Sequence, residues 1–224
     1  DRDVTGVQTC ALPISKDEHI SMSVVRRLPR YYRFLYDLKE NGIVRISSRE
    51  LSQRMGLTAS QIRQDLNCFG GFGQQGYGYI VEQLYTEIGH ILGVDVLTPT
   101  ILLGAGNMGH AVANHMDFEQ RGIRLISIFD NNPALIGQKI QDVEINPIEK
   151  LDEICTENKI EAAILCIPNE VASQVVERLI KLGVRGFWNF SHYDISYNHP
   201  GVLVENVHLG DSLMTLSYKL NENR

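Results

Sequence analysis

Cysteine is scarce in this chain, with four residues among 224: Cys10, Cys68, Cys155 and Cys166. They form no Cys-x-x-Cys pair, and no cysteine or histidine spacing resembles a zinc site. The sequence therefore excludes a disulfide-stabilised miniprotein, and we expect no metal site. Free thiols in apolar surroundings are typical of a reducing compartment, so we expect a cytoplasmic protein.

Long apolar runs are missing as well. The stretch 162–167 is among the longest, and it is far shorter than the roughly 20 residues that a transmembrane helix requires. Residues 1–15 lack a basic start and an unbroken apolar core, so they do not resemble a signal peptide. We expect no membrane partner, and we expect residues 1–18 to be a non-native or disordered leader.

An overall excess of basic charge is also lacking, since the chain has 21 lysines and arginines against 27 aspartates and glutamates, a net charge of -6. That total argues against a nucleic-acid binder. The distribution argues otherwise, because residues 19–80 hold nine basic and four acidic residues, whereas residues 81–224 hold ten and nineteen. A basic block joined to an acidic block indicates two domains with different partners.

The basic block contains a predicted helix-turn-helix. Apolar residues at helical spacing follow Pro29, and two capping boxes, at Ser47 to Glu50 and at Thr58 to Gln61, each precede a short helix. Gly56 supplies the turn between these two helices. The second helix is predicted to be the reader, with Ile62 and its apolar neighbours facing the core.

Side chains that can pair with bases or phosphates lie on the outer face of this motif and around it. Arg pairs with guanine, Gln or Asn with adenine, and basic residues with phosphate. The candidate DNA-binding residues are Arg26, Arg27, Arg30, Ser47, Ser48, Thr58, Ser60, Gln61, Arg63, Gln64 and Asn67, with Gln74 and Gln75 in a glycine-rich hairpin predicted to be the wing. The alternative is an ordinary helical domain with a solvated basic surface. We place the winged-helix domain at residues 19–97.

The acidic block begins with a dinucleotide-binding pattern. The strand 100–103 leads into Gly104-Ala105-Gly106-Asn107-Met108-Gly109, a G-x-G-x-x-G sequence, and then into a helix. Its glycines allow a tight turn, approach of a pyrophosphate, and close packing of helix on strand. Asp130 ends the next strand 21 residues after Gly109, the expected distance for a carboxylate that bonds the ribose hydroxyls of the dinucleotide. Its charge would repel a 2′-phosphate, so NAD(H) is favoured over NADP(H).

Strands and helices alternate through residues 98–207, which predicts a doubly wound parallel sheet of Rossmann type and an α/β fold class. Residues just past strand ends are further candidate cofactor contacts, namely Pro168, Asn189 and Phe190. The alternative is a doubly wound domain that binds another nucleotide or none.

Catalytic patterns are absent from the sequence: it has no Tyr-x-x-x-Lys and no His-Glu-x-x-His, and its seven histidines are scattered. We therefore predict a sensor rather than an enzyme. A small NAD-dependent oxidoreductase is the alternative, because His192 and His199 lie near the later strands. A structural nucleotide-binding subunit is a third possibility.

Residues 208–224 are predicted to be a dimerisation helix, since Leu213, Leu216 and Leu220 share one apolar face. A two-fold dimer would match palindromic DNA.

The ordered motifs resemble the Rex family of redox-sensing transcriptional repressors over nearly everything after residue 20. The resemblance rests on 26–29, 46–51, 61–66, 69–70, 78–79, 104–109, 129–130, 189–190 and 215–218. It implies a homodimer with a winged-helix domain, a Rossmann domain and a C-terminal helix swapped into the partner. It also implies that NADH releases operator DNA whereas NAD⁺ permits binding.

Several positions depart from the family pattern. Gln64, Gln74 and Gln75 stand where the family usually has basic residues, so weaker DNA affinity and a shallower salt dependence are expected. His115 and His208 stand where the family usually has Tyr and Asp, at positions that matter for redox switching. A Rex-like paralogue that binds DNA without redox switching is therefore a further alternative.

Overall fold

The computed structural model describes residues 20–70, 73–74 and 77–222. Contacts divide the chain into two compact units, and the division falls between Gly93 and Val94. Our sequence-based boundary lies slightly further on, between residues 97 and 98, where the first strand of the second unit begins. Each unit has its own hydrophobic core.

The first unit consists of short helices and a small antiparallel sheet. Its helices are α1 (Met22–Val25), α2 (Leu28–Glu40), α3 (Ser48–Met55), α4 (Ala59–Asn67) and α5 (Val81–Leu92). Its strands β1 (Arg45–Ile46), β2 (Gly73–Gln74) and β3 (Gly78–Ile80) lie in the order β1-β3-β2. The pairing of β2 with β3 gives the predicted hairpin after the reading helix.

Local sequence signals account for α3 and α4. The Ser47 hydroxyl accepts a hydrogen bond from the Glu50 N–H, and the Glu50 carboxylate accepts one from the Ser47 N–H, so the first capping box is complete. Gly56 ends α3 at a φ of +62°, in the left-handed region that favours glycine. The Thr58 hydroxyl caps α4 by accepting from the Gln61 N–H. The winged helix-turn-helix is confirmed.

The second capping box is only half formed, which corrects one detail of the prediction. The Gln61 amide does not return to the backbone of Thr58 but donates through Nε2 to Asp65, 2.9 Å away. Helix α5 was also missing from the prediction. Its residues Val81, Leu84 and Ile88 are buried and complete the core that Tyr31 and its neighbours on α2 begin.

The second unit is a doubly wound sheet. Its strands are β4 (Thr98–Leu103), β5 (Ile123–Asp130), β6 (Lys139–Ile140), β7 (Val143–Pro147), β8 (Ala162–Leu165), β9 (Gly186–Asn189) and β10 (Leu203–Asn206), in the order β10-β9-β8-β4-β5-β7-β6. Its helices are α6 (Asn107–His115), α7 (Leu151–Asn158), α8 (Asn169–Lys181), α9 (Ile195–Asn198) and α10 (Leu209–Glu222), with short 3-10 turns at Glu119–Arg121 and Ile148–Lys150.

All pairs in this sheet are parallel except β6 with β7. The predicted doubly wound parallel sheet is confirmed, with this one antiparallel pair at its edge: only the two-residue turn at 141–142 joins β6 to β7, and a parallel pair needs a crossover of a dozen or more residues. The sheet extends from β4 in both directions, with β5 on one side of it and β8 on the other, so the strand order reverses at β4. Ligands of such sheets bind where the carboxyl ends of the strands meet at this reversal.

Helix α10 has a row of exposed apolar side chains. Leu213, Met214, Leu216 and Leu220 are each more than half exposed. In the part of the chain that the structure describes, no helix has the length and apolar character to span a membrane.

Candidate functional site

The turn after β4 is built by its first glycine. Gly104 has a φ of +92°, and a Cβ at this position would overlap the carbonyl oxygen of Cys166 on the neighbouring strand segment. Its N–H donates to the Phe129 carbonyl oxygen, 2.8 Å away. Only glycine fits both the dihedral angle and the space, so the chain can leave the sheet between two other strands.

The second and third glycines have opposite surroundings. Gly106 is the N-cap of α6, and a Cβ built there would meet nothing within 4 Å. At Gly109 a Cβ would overlap the Gly104 carbonyl oxygen and lie 3.1 Å from a methyl group of Leu102. Helix α6 therefore packs directly on the turn, while the space in front of its N-terminus is open.

This arrangement fits the pyrophosphate of a dinucleotide. The N–H groups in the first turn of a helix have no partner within the helix, and they favour an anion together with the helix dipole. Asn107 and Met108 begin α6 and are exposed, so their side chains border the open space. The chemistry of the cradle matches the predicted ligand.

Asp130 lies beside the same turn, at the end of β5. One carboxylate oxygen accepts from the Ala105 N–H at 2.6 Å, and the other accepts from the Asn132 N–H at 2.8 Å. A carboxylate has about four acceptor positions, so Asp130 can still accept from ribose hydroxyls. The side chain is partly exposed. Ala105, by contrast, is buried and contributes its N–H to Asp130.

The candidates past the later strands differ in their access to ligand. Pro168 is exposed and is the N-cap of α8. Asn189 is fully buried; its amide donates to Tyr193 and Asn206, and its oxygen accepts from the N–H and the hydroxyl of Ser191. The Asn189 side chain thus orders the loop after β9 and has no capacity left for a cofactor, contrary to its predicted role.

A cavity of about 600 Å³ lies near the start of α10. Met108, Phe190 and Met214 supply apolar lining, and His192 and His208 lie side by side there with parallel rings 5.7 Å apart. One candidate switch residue is therefore close to the dinucleotide cradle.

The other candidate switch residue, His115, lies elsewhere. It ends α6 and lines a separate cavity of about 450 Å³ together with Arg124 and Gln141. The two switch candidates line different cavities of this chain. Within the described ranges, no group of three or more His, Cys, Asp or Glu side chains could hold a metal ion.

In the first unit, α4 faces outward as predicted. Ile62 and Leu66 are buried, whereas the outer face is exposed at Ser60, Arg63, Gln64 and Asn67. The Arg63 guanidinium donates to the Ser48 hydroxyl at 3.1 Å, which ties α4 to the first turn of α3. The helix presents one cation and three neutral polar side chains.

The candidate phosphate contacts fall into two groups. Arg26 and Arg30 are exposed. Arg27 instead forms a bidentate ion pair with Asp65, in which Nε and Nη2 each lie 2.7 Å from a carboxylate oxygen. Arg27 is therefore not the free surface cation that the sequence predicted.

Asp65 is a residue that the sequence analysis did not single out. It is fully buried and accepts hydrogen bonds from Arg27, from the Tyr31 hydroxyl and from the Gln61 amide. Burial raises the pKa of this carboxyl, but the three donors outweigh burial and hold the pKa below its usual value. Burial and the bond to Asp65 raise the pKa of Tyr31. The sequence does contain a signal for the burial of Asp65, because positions 62, 65, 66 and 69 share one helical face.

The remaining candidates are capping or wing residues. Ser47 and Thr58 use their hydroxyls as helix caps. Gln74 belongs to β2 and pairs with Gly78, and Gln75 lies outside the described residues.

The fold and the two sites define a class of protein: a winged helix-turn-helix domain joined to a Rossmann-type dinucleotide fold in one chain. Two family models match these parts, a putative DNA-binding protein N-terminus at residues 19–67 and a CoA binding domain at residues 95–193.

Relatives that match nearly the whole chain identify the family more specifically than these two models do. The redox-sensing transcriptional repressor Rex of Caldanaerobacter subterraneus subsp. tengcongensis is 56% identical over 209 residues, covering 93% of each chain. Rex of Clostridium perfringens strain 13 is 51% identical over 210 residues, covering 94% of this chain and 99% of the relative. The chain belongs to the Rex family of redox-sensing transcriptional repressors.

Solved structures agree with this assignment. The crystal structure of RSP in complex with β-NAD⁺ and operator DNA has a TM-score of 0.83 and 53% identity, covering 92% of this chain and 94% of that chain. The structure of RSP with β-NADH has a TM-score of 0.82 and 51% identity, covering 92% and 96%.

Proposed function

We propose that this protein is a transcriptional repressor that binds a palindromic operator as a homodimer and releases it when NADH binds. The observation that carries the proposal is the presence, in one chain, of an exposed reading helix and an open glycine cradle with Asp130 beside it. RSP, a relative of similar fold, has been crystallised with NAD⁺ and operator DNA and with NADH.

The dinucleotide would be held by the second unit. The first turn of α6, from Gly106 to Gly109, is suited to the pyrophosphate, and Asp130 is suited to the adenosine ribose. The negative charge of Asp130 would repel a 2′-phosphate, which favours NAD(H) over NADP(H). Met108 and Phe190 line the nearby apolar cavity that could accept the nicotinamide ring.

Operator DNA would be bound by the first unit. Arg63 and its exposed neighbours on α4 are suited to base edges, and Arg26 and Arg30 to phosphates. Gln64 lacks the charge that the family usually places there, so we expect a shallower salt dependence than in a typical member. Because a repressor acts where its operator is, we propose a cytoplasmic location.

Homodimerisation would bury the exposed apolar face of α10. Six large apolar side chains are exposed on this one helix, which favours a protein partner. A two-fold dimer would place two reading helices on the two halves of a palindrome.

A second function has one observation in its favour. His192 and His208 border the apolar cavity near α10, where an imidazole could transfer a proton to or from a bound substrate. We propose that the protein is not an enzyme, because its relatives are named as repressors and the chain lacks the Tyr-x-x-x-Lys pair. The oxidoreductase remains the competing hypothesis.

The test is an anisotropy titration of the full chain with the operator duplex used in the RSP complex, without nucleotide, with NAD⁺ and with NADH. We expect binding alone and with NAD⁺, and release with NADH. Absence of binding at low salt would overturn the repressor, whereas binding that NADH does not change would support the paralogue without redox switching. Consumption of NADH with a panel of small carbonyl compounds, followed at 340 nm, would instead support the oxidoreductase.

A further inference from the structure

The buried ion pair between Arg27 and Asp65 has a geometry that suits a task beyond holding two helices together. We propose that Asp65 is a positioning residue for operator binding, which fixes the Arg27 guanidinium so that its Nη1 meets a DNA phosphate. This inference rests on the proposed DNA-binding function and adds a residue and an orientation to it.

The first step is the division of the guanidinium between two partners. Nε and Nη2 of Arg27 donate to the two oxygens of Asp65, each at 2.7 Å. Nη1 takes no part in this pair, and 28% of the Arg27 side chain remains exposed while only 1% of Asp65 does. One end of the planar group is thus bound inside the protein, and the other end is left for an acceptor at the surface.

The second step is orientation. A guanidinium is planar and rigid, so two fixed nitrogens also fix the direction of the third. The Tyr31 hydroxyl at 2.9 Å and the Gln61 amide at 2.9 Å hold the carboxylate from its other sides. Arg27 would therefore meet DNA with its side-chain freedom already lost, which removes an entropic cost that a flexible surface arginine has on binding.

The third step is location. Arg27 directly precedes α2 and is flanked in sequence by the exposed Arg26 and, one turn on, Arg30. Asp65 lies on α4, the helix that carries Arg63 on its outer face. The ion pair therefore links the reading helix to the segment that holds the other candidate phosphate contacts.

A purely structural role makes a different prediction for the same pair. If the pair only joined α2 to α4, loss of the Asp65 charge would lower thermal stability. The correctly folded protein would then bind DNA as well as before, or more tightly, because a negative charge near the phosphates has been removed. Positioning predicts the opposite sign: weaker binding and fewer phosphate contacts.

The experiment measures operator affinity of the full-length chain over a range of KCl concentrations, for the wild type, Asp65→Asn and Arg27→Lys. The plot of log K against log[KCl] has a slope of about -0.9 per phosphate contact. Loss of one contact in each subunit should make the slope shallower by about 1.8 per dimer. We expect this change in both variants, although Asp65→Asn removes a negative charge and Arg27→Lys keeps the positive charge.

Arg54→Lys is the matched control, because Arg54 is exposed on α3 and the substitution also keeps the charge. It should retain the wild-type slope. Circular dichroism at the temperature of the titration shows which variants are folded, and only folded variants are compared. If Asp65→Asn is unfolded, the slope of Arg27→Lys alone tests the positioning role. A wild-type slope in the folded variants would overturn the positioning role and leave the repressor intact, whereas a wild type that binds no operator would overturn the proposed function itself.

Discussion

Gly109 and Gly104 are in such close contact that a Cβ on Gly109 would overlap the carbonyl oxygen of Gly104. Helix α6 lies directly on the turn that precedes it, which places the first N–H groups of the helix at the end of β4. We predict that Gly109→Ala pushes α6 away from the turn, lowers the thermal unfolding temperature and abolishes NADH binding. Calorimetry and NADH fluorescence titration would measure both effects.

Gly106→Ala is the matched control for that variant. Gly106 has a φ of -64°, which any residue adopts, and its Cβ would meet nothing within 4 Å. The unfolding temperature should stay at the wild-type value while NADH affinity falls, because the methyl group enters the space proposed for the pyrophosphate. Equal NADH affinity in Gly106→Ala and the wild type would contradict our placement of the ligand.

Asp130 gives a second prediction through its charge. In Asp130→Asn the amide can no longer accept from both the Ala105 and Asn132 N–H groups, and the repulsion of a 2′-phosphate disappears. Hydrogen bonds to a charged group contribute about 1.5–3 kcal/mol, so NADH affinity should fall by about tenfold or more while the preference over NADPH narrows. Parallel titrations with NADH and NADPH measure this change, with the exposed Asp142→Asn as control. An unchanged ratio of the two affinities would exclude Asp130 from cofactor selection.

The dinucleotide cradle could be predicted from the sequence more completely than the core of the DNA-binding unit. The glycines at 104–109 and the carboxylate at 130 form a local pattern whose spacing is set by one strand, one turn and one helix, so it could be predicted. The role of Asp65 depends on Arg27, 38 residues away in sequence, and on Tyr31. Spacing within α4 places Asp65 on the core face but does not identify the donors that stabilise its charge.

The sequence analysis missed strand β7 and helix α5 for a similar reason. Strand β7, Val143–Pro147, contains few consecutive apolar residues and is stabilised by its pairing with β5. Helix α5, Val81–Leu92, directly follows β3 without a capping side chain at its start, so the usual sequence signal for a helix N-terminus is missing. In both segments tertiary contacts determine the structure more than local propensity does.

Arg63 supplies a third prediction. It is exposed on α4, and its guanidinium is held near α3 by the Ser48 hydroxyl. If it reads a base, Arg63→Ala should cost about 1–3 kcal/mol of operator binding and relax specificity at one base pair in each half-site. Competition titrations with single-base operator variants measure both effects. Lys139→Ala, which removes an exposed cation from the second unit, is the control, and equal affinities in the two variants would remove Arg63 from base reading.

The thiols give a fourth prediction, which depends on pH. Burial raises the pKa of Cys155 to about 11 and that of Cys166 to about 12. At about pH 8 both are protonated and unreactive, because the thiolate is the nucleophile, whereas Cys68 is exposed. Iodoacetamide at that pH should label Cys68 well before Cys155 and Cys166, as followed by peptide mass spectrometry. Labelling in denaturing guanidinium chloride is the control, and equal rates at the three sites of the native protein would contradict the burial.

Helix α10 supplies the last prediction, because an exposed apolar face needs a partner. Leu213 and Leu216 are 65% and 52% exposed in the single chain. We expect Leu216→Asp to halve the molecular mass measured by sedimentation equilibrium and to weaken operator binding, since a monomer engages one half-site only. Asn221→Asp adds the same charge to the same helix at a polar position, and it should leave the dimer intact. A dimeric Leu216→Asp protein would show that subunits associate through another surface, and α10 would then require a different partner.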